Sequence, residues 1–312
     1  MPVSTAGFWS RRDALKAGAL AGLGFGFGAN PCVAASDGTA ALITRAIPST
    51  GEKLPVIGIG TNAFRESGAA ELRNVLERFS ALGATMIDTA AMYGESEEII
   101  GRLSSELKLR DRLFFATKFT AGGGNGTASL ERALQRLRTD HLDLLYVHNM
   151  SGTETLMPQM AEWKKAKRIR YIGISTSSDG QHAMMVEQMK KYPVDFVEVN
   201  YGLGGRDAEN TVLQVAAERR IAVVANVPLG GRGGRNLQAV LGKPLPAFAA
   251  EMGCTSWAQV MLKYVISHPA VTCVISGSTR VAHVEDNQQA GRGVVPDAAL
   301  RKQIEKYWDS LG

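Results

Sequence analysis

Leu113-Phe-Phe-Ala-Thr-Lys-Phe119 and Leu142-Asp-Leu-Leu-Tyr-Val-His148 are short, almost continuous apolar runs, each with a polar group near its carboxyl end. A strand with one wet face alternates polar and apolar residues, whereas a strand covered on both faces reads as an unbroken hydrophobic run. Both runs are therefore expected to be parallel strands under helices, with Lys118 and His148 where a buried strand opens onto a loop. The pattern recurs at Ile57–Gly60, Thr85–Thr89, Tyr171–Ser175, Phe196–Asn200, Ala222–Asn226 and Thr272–Ser276. Amphipathic segments such as Ala69–Leu82, Ser129–Leu137 and Asn210–Arg219 lie between these runs. The fold class is α/β, and eight strand–helix units close most simply into a (β/α)8 TIM barrel. Ahead of it, Leu42–Ile47 and Leu54–Val56 flank Ser49-Thr50-Gly51-Glu52, the signature of an N-terminal β-hairpin. The longest gap, Pro228 to Val271, is where a functional loop is expected. With no linker or break in composition, residues 36–312 read as one domain.

At 312 residues, 45% hydrophobic and 21% charged, the chain can bury a full-sized core. Its net charge is +5, of which Arg11, Arg12 and Lys16 against Asp13 supply +2. No basic run points to nucleic acid. The stretch Ser10-Arg-Arg-Asp-Ala-Leu-Lys16 carries a twin arginine, and an Ala/Gly/Leu/Phe segment follows from Ala17 to Ala29. That segment is too short and too glycine-rich to stay inserted in a membrane. Val33-Ala-Ala35 supplies the small residues of a cleavage site. Residues 1–35 thus resemble a twin-arginine (Tat) export signal, cut near Ala35–Ser36. The implied partner is the Tat machinery, and the implied location is the periplasm. Cys32 would leave with the signal, while Cys254 and Cys273 read as small buried residues. The five histidines lack ligand spacing, so no metal is expected. Nothing in the pattern specifies an oligomeric state.

The polar strand ends carry the chemistry. Asp88 ends the second barrel strand and Tyr93 follows it; Lys118 and His148 end the third and fourth. Barrels of this kind build their sites at the carboxyl ends of the strands, so all four residues should meet at one mouth. Adding hydride to a carbonyl leaves an alkoxide, which needs a proton donor close by. Tyrosine is a weak acid near pH 7, and a neighbouring ammonium favours its phenolate. In this expectation Tyr93 donates, Lys118 lowers its pKa, Asp88 fixes Lys118, and His148 orients the carbonyl oxygen. Any one of these residues could be a helix cap or a solvated strand end. The four together point to an NAD(P)H-dependent carbonyl reductase acting on a small-molecule substrate.

From about Arg45 to Asn287 the chain resembles the aldo-keto reductase superfamily. The matching stretches are Gly58-Ile-Gly-Thr61, Ile87-Asp-Thr-Ala-Ala-Met-Tyr-Gly94 with Ser96-Glu97, Ala116-Thr-Lys-Phe119, and Asp140-His-Leu-Asp143 running on to His148. Tyr171-Ile-Gly-Ile-Ser175, Pro228-Leu-Gly230 and Val274-Ile-Ser-Gly-Ser-Thr-Arg280 with Asp286-Asn287 follow. The resemblance implies a barrel, an extended NADPH, and the tetrad Asp88, Tyr93, Lys118 and His148. It places cofactor contacts at Thr61, Ser175, Thr176, Glu198, Pro228, Leu229, Gly230, Ser276, Gly277, Ser278, Thr279, Arg280, Asp286 and Asn287. Arg280 would pair with a 2′-phosphate and favour NADPH, with NADH as the alternative. Gly230-Gly-Arg-Gly-Gly-Arg235 suits a pyrophosphate, and Gly122-Gly-Gly-Asn-Gly126 reads as a substrate-side loop or a linker.

Some positions depart from the family pattern. Thr176 stands where Asn is usual after Ser175, Glu198 replaces a Gln, and Asn226 replaces an aromatic that stacks under the nicotinamide. The nicotinamide ring is then expected to be held more loosely or by another residue such as Tyr201, and Glu198 imitates Gln if it is protonated. Met92, Phe119, Met150, Phe64 and Trp257 are candidate pocket residues, with core packing as the ordinary alternative. The departures also raise a second reading, an NADP(H)-binding sensor or accessory protein without turnover on the same barrel.

Overall fold

The computed structural model describes residues 40–311 except 123–125 and 232. The export-signal reading of residues 1–35, most of the Gly122–Gly126 run and Arg232 of the second glycine-rich run lie outside the described residues. An antiparallel hairpin, β1 (Thr44–Ala46) and β2 (Lys53–Pro55), comes first. Eight parallel strands follow: β3 (Ile57–Gly60), β4 (Met86–Asp88), β5 (Phe114–Phe119), β6 (Leu142–Val147), β7 (Ile169–Ser175), β8 (Phe196–Asn200), β9 (Ala222–Asn226) and β10 (Val271–Gly277). They pair in sequence order, and β10 returns to β3, so the sheet is a closed barrel.

Period-two alternation divides the strand residues between two cores. Met86, Phe114, Ala116, Leu144, Tyr146, Tyr171, Phe196, Ala222, Val224, Cys273 and Ile275 pack inside the barrel. Ile87, Phe115, Leu145, Val147, Ile172, Val197 and Val223 face outward into the larger core under the helices. Ile47 and Leu54 of the hairpin join the inner cluster, and Tyr171 stacks on Phe114 and meets Phe196 edge-on. The hairpin therefore closes the amino end of the barrel with apolar side chains. Arg45 locks it there by donating to the carbonyls of His268 at 2.6 Å and Ile266 at 2.5 Å, at the end of the helix Trp257–Ser267.

The expected loop between β9 and β10 contains three helices, Arg235–Gln238, Phe248–Glu251 and Trp257–Ser267. Ser256 caps the last of these by accepting from the Gln259 amide. Every residue from Trp257 to Ile266 is buried, so this helix has no polar face for sequence periodicity to detect. The stretch directly after β9 is a loop at the barrel mouth, and 239–247 is a second irregular stretch. Cys254 precedes that helix and Cys273 lies within β10; both are buried free thiols. Among the described residues no helix is long and apolar enough to cross a membrane, and no group of three or more His, Cys, Asp or Glu could hold a metal.

Candidate active site

Strand parity sets the site. On β5, Phe114 and Ala116 face the barrel interior and Lys118 is the next inward position, while Thr117 faces out and donates to Glu97 at 2.7 Å. On β8, Glu198 follows inward Phe196 by the same step, and Asp88 follows Met86 on β4. The three charged side chains consequently converge on the axis above the inner apolar core. Lys118 Nζ pairs with Asp88 Oδ1, donates to the Thr89 carbonyl at 3.0 Å, and lies 3.1 Å from Glu198 Oε2. Lys118, Asp88 and Glu198 are 1%, 2% and 3% exposed, so each charge must be balanced inside the protein.

Thr61 supports this cluster from outside. Its hydroxyl donates to the Asp88 carbonyl at 2.9 Å and accepts from Ser96 at 2.8 Å, and Ser96 also bonds Thr89. The helix Ser96–Glu106 is thereby tied to the strand end that carries Asp88. The resemblance assigns Thr61 to the cofactor, but its hydroxyl is taken up by this network.

Tyr93 and His148 stand over the cluster. Their rings meet edge-on, 6.1 Å apart at 84°, and Lys118 Nζ is 5.6 Å from the Tyr93 ring centre. Tyr93 is half-buried, so its side chain can meet a molecule arriving from solvent. After His148 the chain turns sharply through Asn149 and Met150, both in left-handed backbone (φ 51° and 55°). Such conformations are costly for residues other than glycine and gather at functional mouths.

The electrostatics differ from the sequence expectation in one respect. Lys118 does favour the Tyr93 phenolate, but burial is the larger effect, and Asp88 and Glu198 add to it. The phenol is pushed up to about 12, not down. Burial, then the Glu198 charge, hold the Asp88 carboxyl well above the usual carboxylate range, against the pull of Lys118. Burial works against the Lys118 charge, yet Asp88 and Glu198 outweigh it and raise its pKa. Burial and then the Lys118 charge lower that of His148, so its imidazole is neutral at neutral pH. A neutral imidazole still has one N–H to donate to a carbonyl oxygen.

Other expected contacts divide into two groups. Around β7 to β9, Asn226 Nδ2 donates to Glu198 Oε1 and to the Thr176 carbonyl, each at 2.9 Å. Asn226 Oδ1 is left buried without a partner. An orphaned acceptor beside Ser175 and Thr176 fits a primary amide such as the nicotinamide carboxamide, so these residues suit the group the resemblance implies. The next residues, Val227-Pro-Leu-Gly230, bend through left-handed Val227 (φ 51°) and Gly230 (φ 96°). A Cβ at Gly230 would lie 2.3 Å from the Asn236 amide, so only glycine fits there. The Leu229 carbonyl accepts from Asn236 and Leu237, which seats this loop on the following helix.

Ser276 and Gly277 end β10, and Ser278 and Thr279 lead on to exposed Arg280, the N-cap position of the helix Val281–Gln289. Asn287 donates to Ser278 at 3.0 Å and Asp286 accepts from Ser256 and Gln259, both at 2.7 Å. Asp286 and Asn287 therefore brace the loop and the adjacent helix.

The reading of Tyr201 is corrected. Tyr201 is buried, and its hydroxyl bonds Glu209 and Arg301 beneath the C-terminal helix, away from the mouth. Of the expected pocket residues only Met92 is exposed, at 67%; Phe64, Phe119, Met150 and Trp257 are buried in the outer core. Phe119 has outward parity and meets Trp163, and the Trp257 indole donates to the Lys243 carbonyl. Sequence reasoning missed Glu198 as a partner of Lys118. The available signal was its two-residue spacing from inward-facing Phe196.

Removal of the central cation gives a pH-dependent prediction. Lys118→Met leaves two buried carboxyls without a counter-ion, at an expected cost of about 3–5 kcal/mol at neutral pH. A carboxyl raised in the folded state, as Asp88 is, contributes stability at low pH that is lost as pH rises through the folded pKa. The variant should therefore unfold at a lower temperature at about pH 8 than at about pH 5, more steeply than the parent. Equal pH dependence of the two melting temperatures would contradict the cluster.

Comparison with known proteins agrees with this fold. The pattern described as "Aldo/keto reductase family" matches residues 56–307. Methylglyoxal reductase YeaE of Escherichia coli is 32% identical over 250 residues, spanning 75% of this chain and 84% of that protein. Aldo-keto reductase yakc [NADP(+)] of Schizosaccharomyces pombe is 31% identical over 206 residues, 57% of this chain and 59% of that one. A solved aldo-keto reductase from Klebsiella pneumoniae in complex with NADPH superposes with a TM-score of 0.70 at 25% identity, covering 83% of this chain and 92% of that chain. The chain belongs to the aldo/keto reductase family.

Proposed function

We propose that this protein reduces an aldehyde or ketone to an alcohol with NADPH, Tyr93 supplying the proton. The bound cofactor supplies the hydride. The observation that carries the reading is the Tyr93 phenol, half-buried beside His148 and over the paired Lys118 ammonium. His148, neutral and at the rim, donates to the carbonyl oxygen and aims it at Tyr93. A phenol at about 12 stays protonated at neutral pH, yet an alkoxide is the stronger base, so transfer runs toward product. Lys118 acts as a fixed positive charge that stabilises the phenolate left behind. Asn226, Ser175 and Thr176 hold the carboxamide end of the cofactor, and the loops after β9 and β10 its phosphates, with Arg280 toward a 2′-phosphate. Exposed Met92 borders the substrate. The sensor reading, motivated by Thr176, Glu198 and Asn226, is opposed by the intact set Asp88, Tyr93, Lys118 and His148; tight NADPH binding without oxidation by any reactive aldehyde would favour it.

Substituting Tyr93→Phe should lower turnover with a reactive aromatic aldehyde about 10²–10⁴-fold while NADPH still binds. Full activity in that variant would overturn the assignment.

Residues 1–35 are proposed as a twin-arginine export signal, residues 36–312 as the mature periplasmic enzyme, and the Tat machinery as the transient partner. Arg11, Arg12 and the small residues Val33-Ala-Ala35 support this. Replacing both arginines with lysine should retain the uncut chain inside a bacterial host. Undiminished appearance of a protein starting near Ser36 in the periplasmic fraction would refute it.

A further inference from the structure

The floor of the site holds one cation against two acids. Lys118 Nζ pairs with Asp88 Oδ1 and lies 3.1 Å from Glu198 Oε2, and all three side chains are almost wholly buried. Asn226 occupies Glu198 Oε1. Asp88 Oδ2 and Glu198 Oε2 are buried with no hydrogen-bond partner. One ammonium neutralises one carboxylate, and a second ionised carboxylate without a counter-ion of its own in a closed barrel costs several kcal/mol. A proton between the two carboxyls would satisfy both orphaned oxygens.

We propose that Glu198 is a positioning residue for the reaction: with Asp88 it forms a carboxyl pair that holds a single proton beside Lys118. The groups facing this pair are Lys118 on β5, Tyr146 on β6, Asn226 on β9 and Cys273 on β10, with Tyr93 and His148 at the rim. The hydroxyl of Tyr146 is itself buried without a partner, and its ring centre lies 5.5 Å from Lys118 Nζ. Both carboxyls approach the same ammonium, Lys118 Nζ pairing with Asp88 Oδ1 and lying 3.1 Å from Glu198 Oε2, which brings the two to one point of the barrel floor.

The pair's role depends on its proton. With the proton held, the two carboxyls and Lys118 sum to zero charge, and the phenolate left on Tyr93 feels a balanced floor. As pH rises the proton leaves, the floor becomes negative, and Tyr93 gives up its proton less readily. Carbonyl reduction should then fall on the alkaline side through an ionisation belonging to the pair and to neither carboxyl alone. This consequence rests on the reading of Tyr93 as proton donor.

Infrared spectroscopy of the full chain, without cofactor or substrate, tests the pair directly. The parent should show the C=O stretch of a protonated carboxyl at neutral pH, titrating away as pH rises. That band should vanish in Glu198→Gln and also in Asp88→Asn, because the carboxyl that remains in each has Lys118 to itself. A parent spectrum without the band, or a band unchanged in Glu198→Gln, would overturn the proposal. The alkaline limb of kcat for aldehyde reduction should move to higher pH in Glu198→Gln, whereas a purely packing role would lower kcat at every pH alike. A band that vanishes while the limb stays fixed would overturn the positioning role. The spectra need no turnover, so a parent with the band but no reductase activity would fail the proposed reaction and leave the pair standing.

Discussion

The ammonium of Lys118 inside a closed parallel barrel is the constraint on which the rest of the site depends. A charge that is 1% exposed has no water to stabilise it, so the surrounding strands must supply its counter-ions. Asp88 from β4 and Glu198 from β8 do so from opposite sides of the barrel. This requires strand register, because a slip of one residue on β5 would turn Lys118 outward and bring Thr117 inside. The apolar inner core and the hairpin plug that Arg45 fastens keep that register from below. The Thr61–Ser96–Thr89 network keeps it at the rim.

The same cluster decides what Tyr93 is. An ammonium beside a phenol suggests a tyrosine tuned toward neutrality. Here burial, with Asp88 and Glu198 adding to it, opposes that single cation, and the phenol becomes a weaker acid than in water. Weakness is no obstacle to the proposed role, since the group to be protonated there is an alkoxide. A site so arranged keeps its proton until charge develops on the substrate oxygen, when the transfer becomes favourable. Lys118 contributes by making the phenolate tolerable afterwards.

Much of this fold is legible in the chain because parallel barrel strands carry a strong signal. Ile57–Gly60, Phe196–Asn200 and Ala222–Asn226 match β3, β8 and β9 residue for residue. The tetrad is legible for the same reason, since a polar residue closing an apolar run must lie at a strand end. What sequence hides is direction and distance. Tyr201 looked available beside the mouth, yet the chain turns its ring beneath the C-terminal helix to join Glu209 and Arg301. Phe119, one residue beyond Lys118, has the opposite parity and belongs to the outer core. Glu198 resembled a modified cofactor contact because its meeting with Lys118 crosses the barrel between strands far apart in sequence. The helix Trp257–Ser267 gave no periodic signal, being buried on every side.

The most direct test of this account is the ionisation of Tyr93 itself, followed as phenolate absorbance of the parent minus Tyr93→Phe during alkaline titration. The account requires this phenol to titrate above the free tyrosine value of about 10, rising to about 12. A Tyr93 phenolate that forms well below the free value would contradict it, because Lys118 would then outweigh both burial and its two acidic partners.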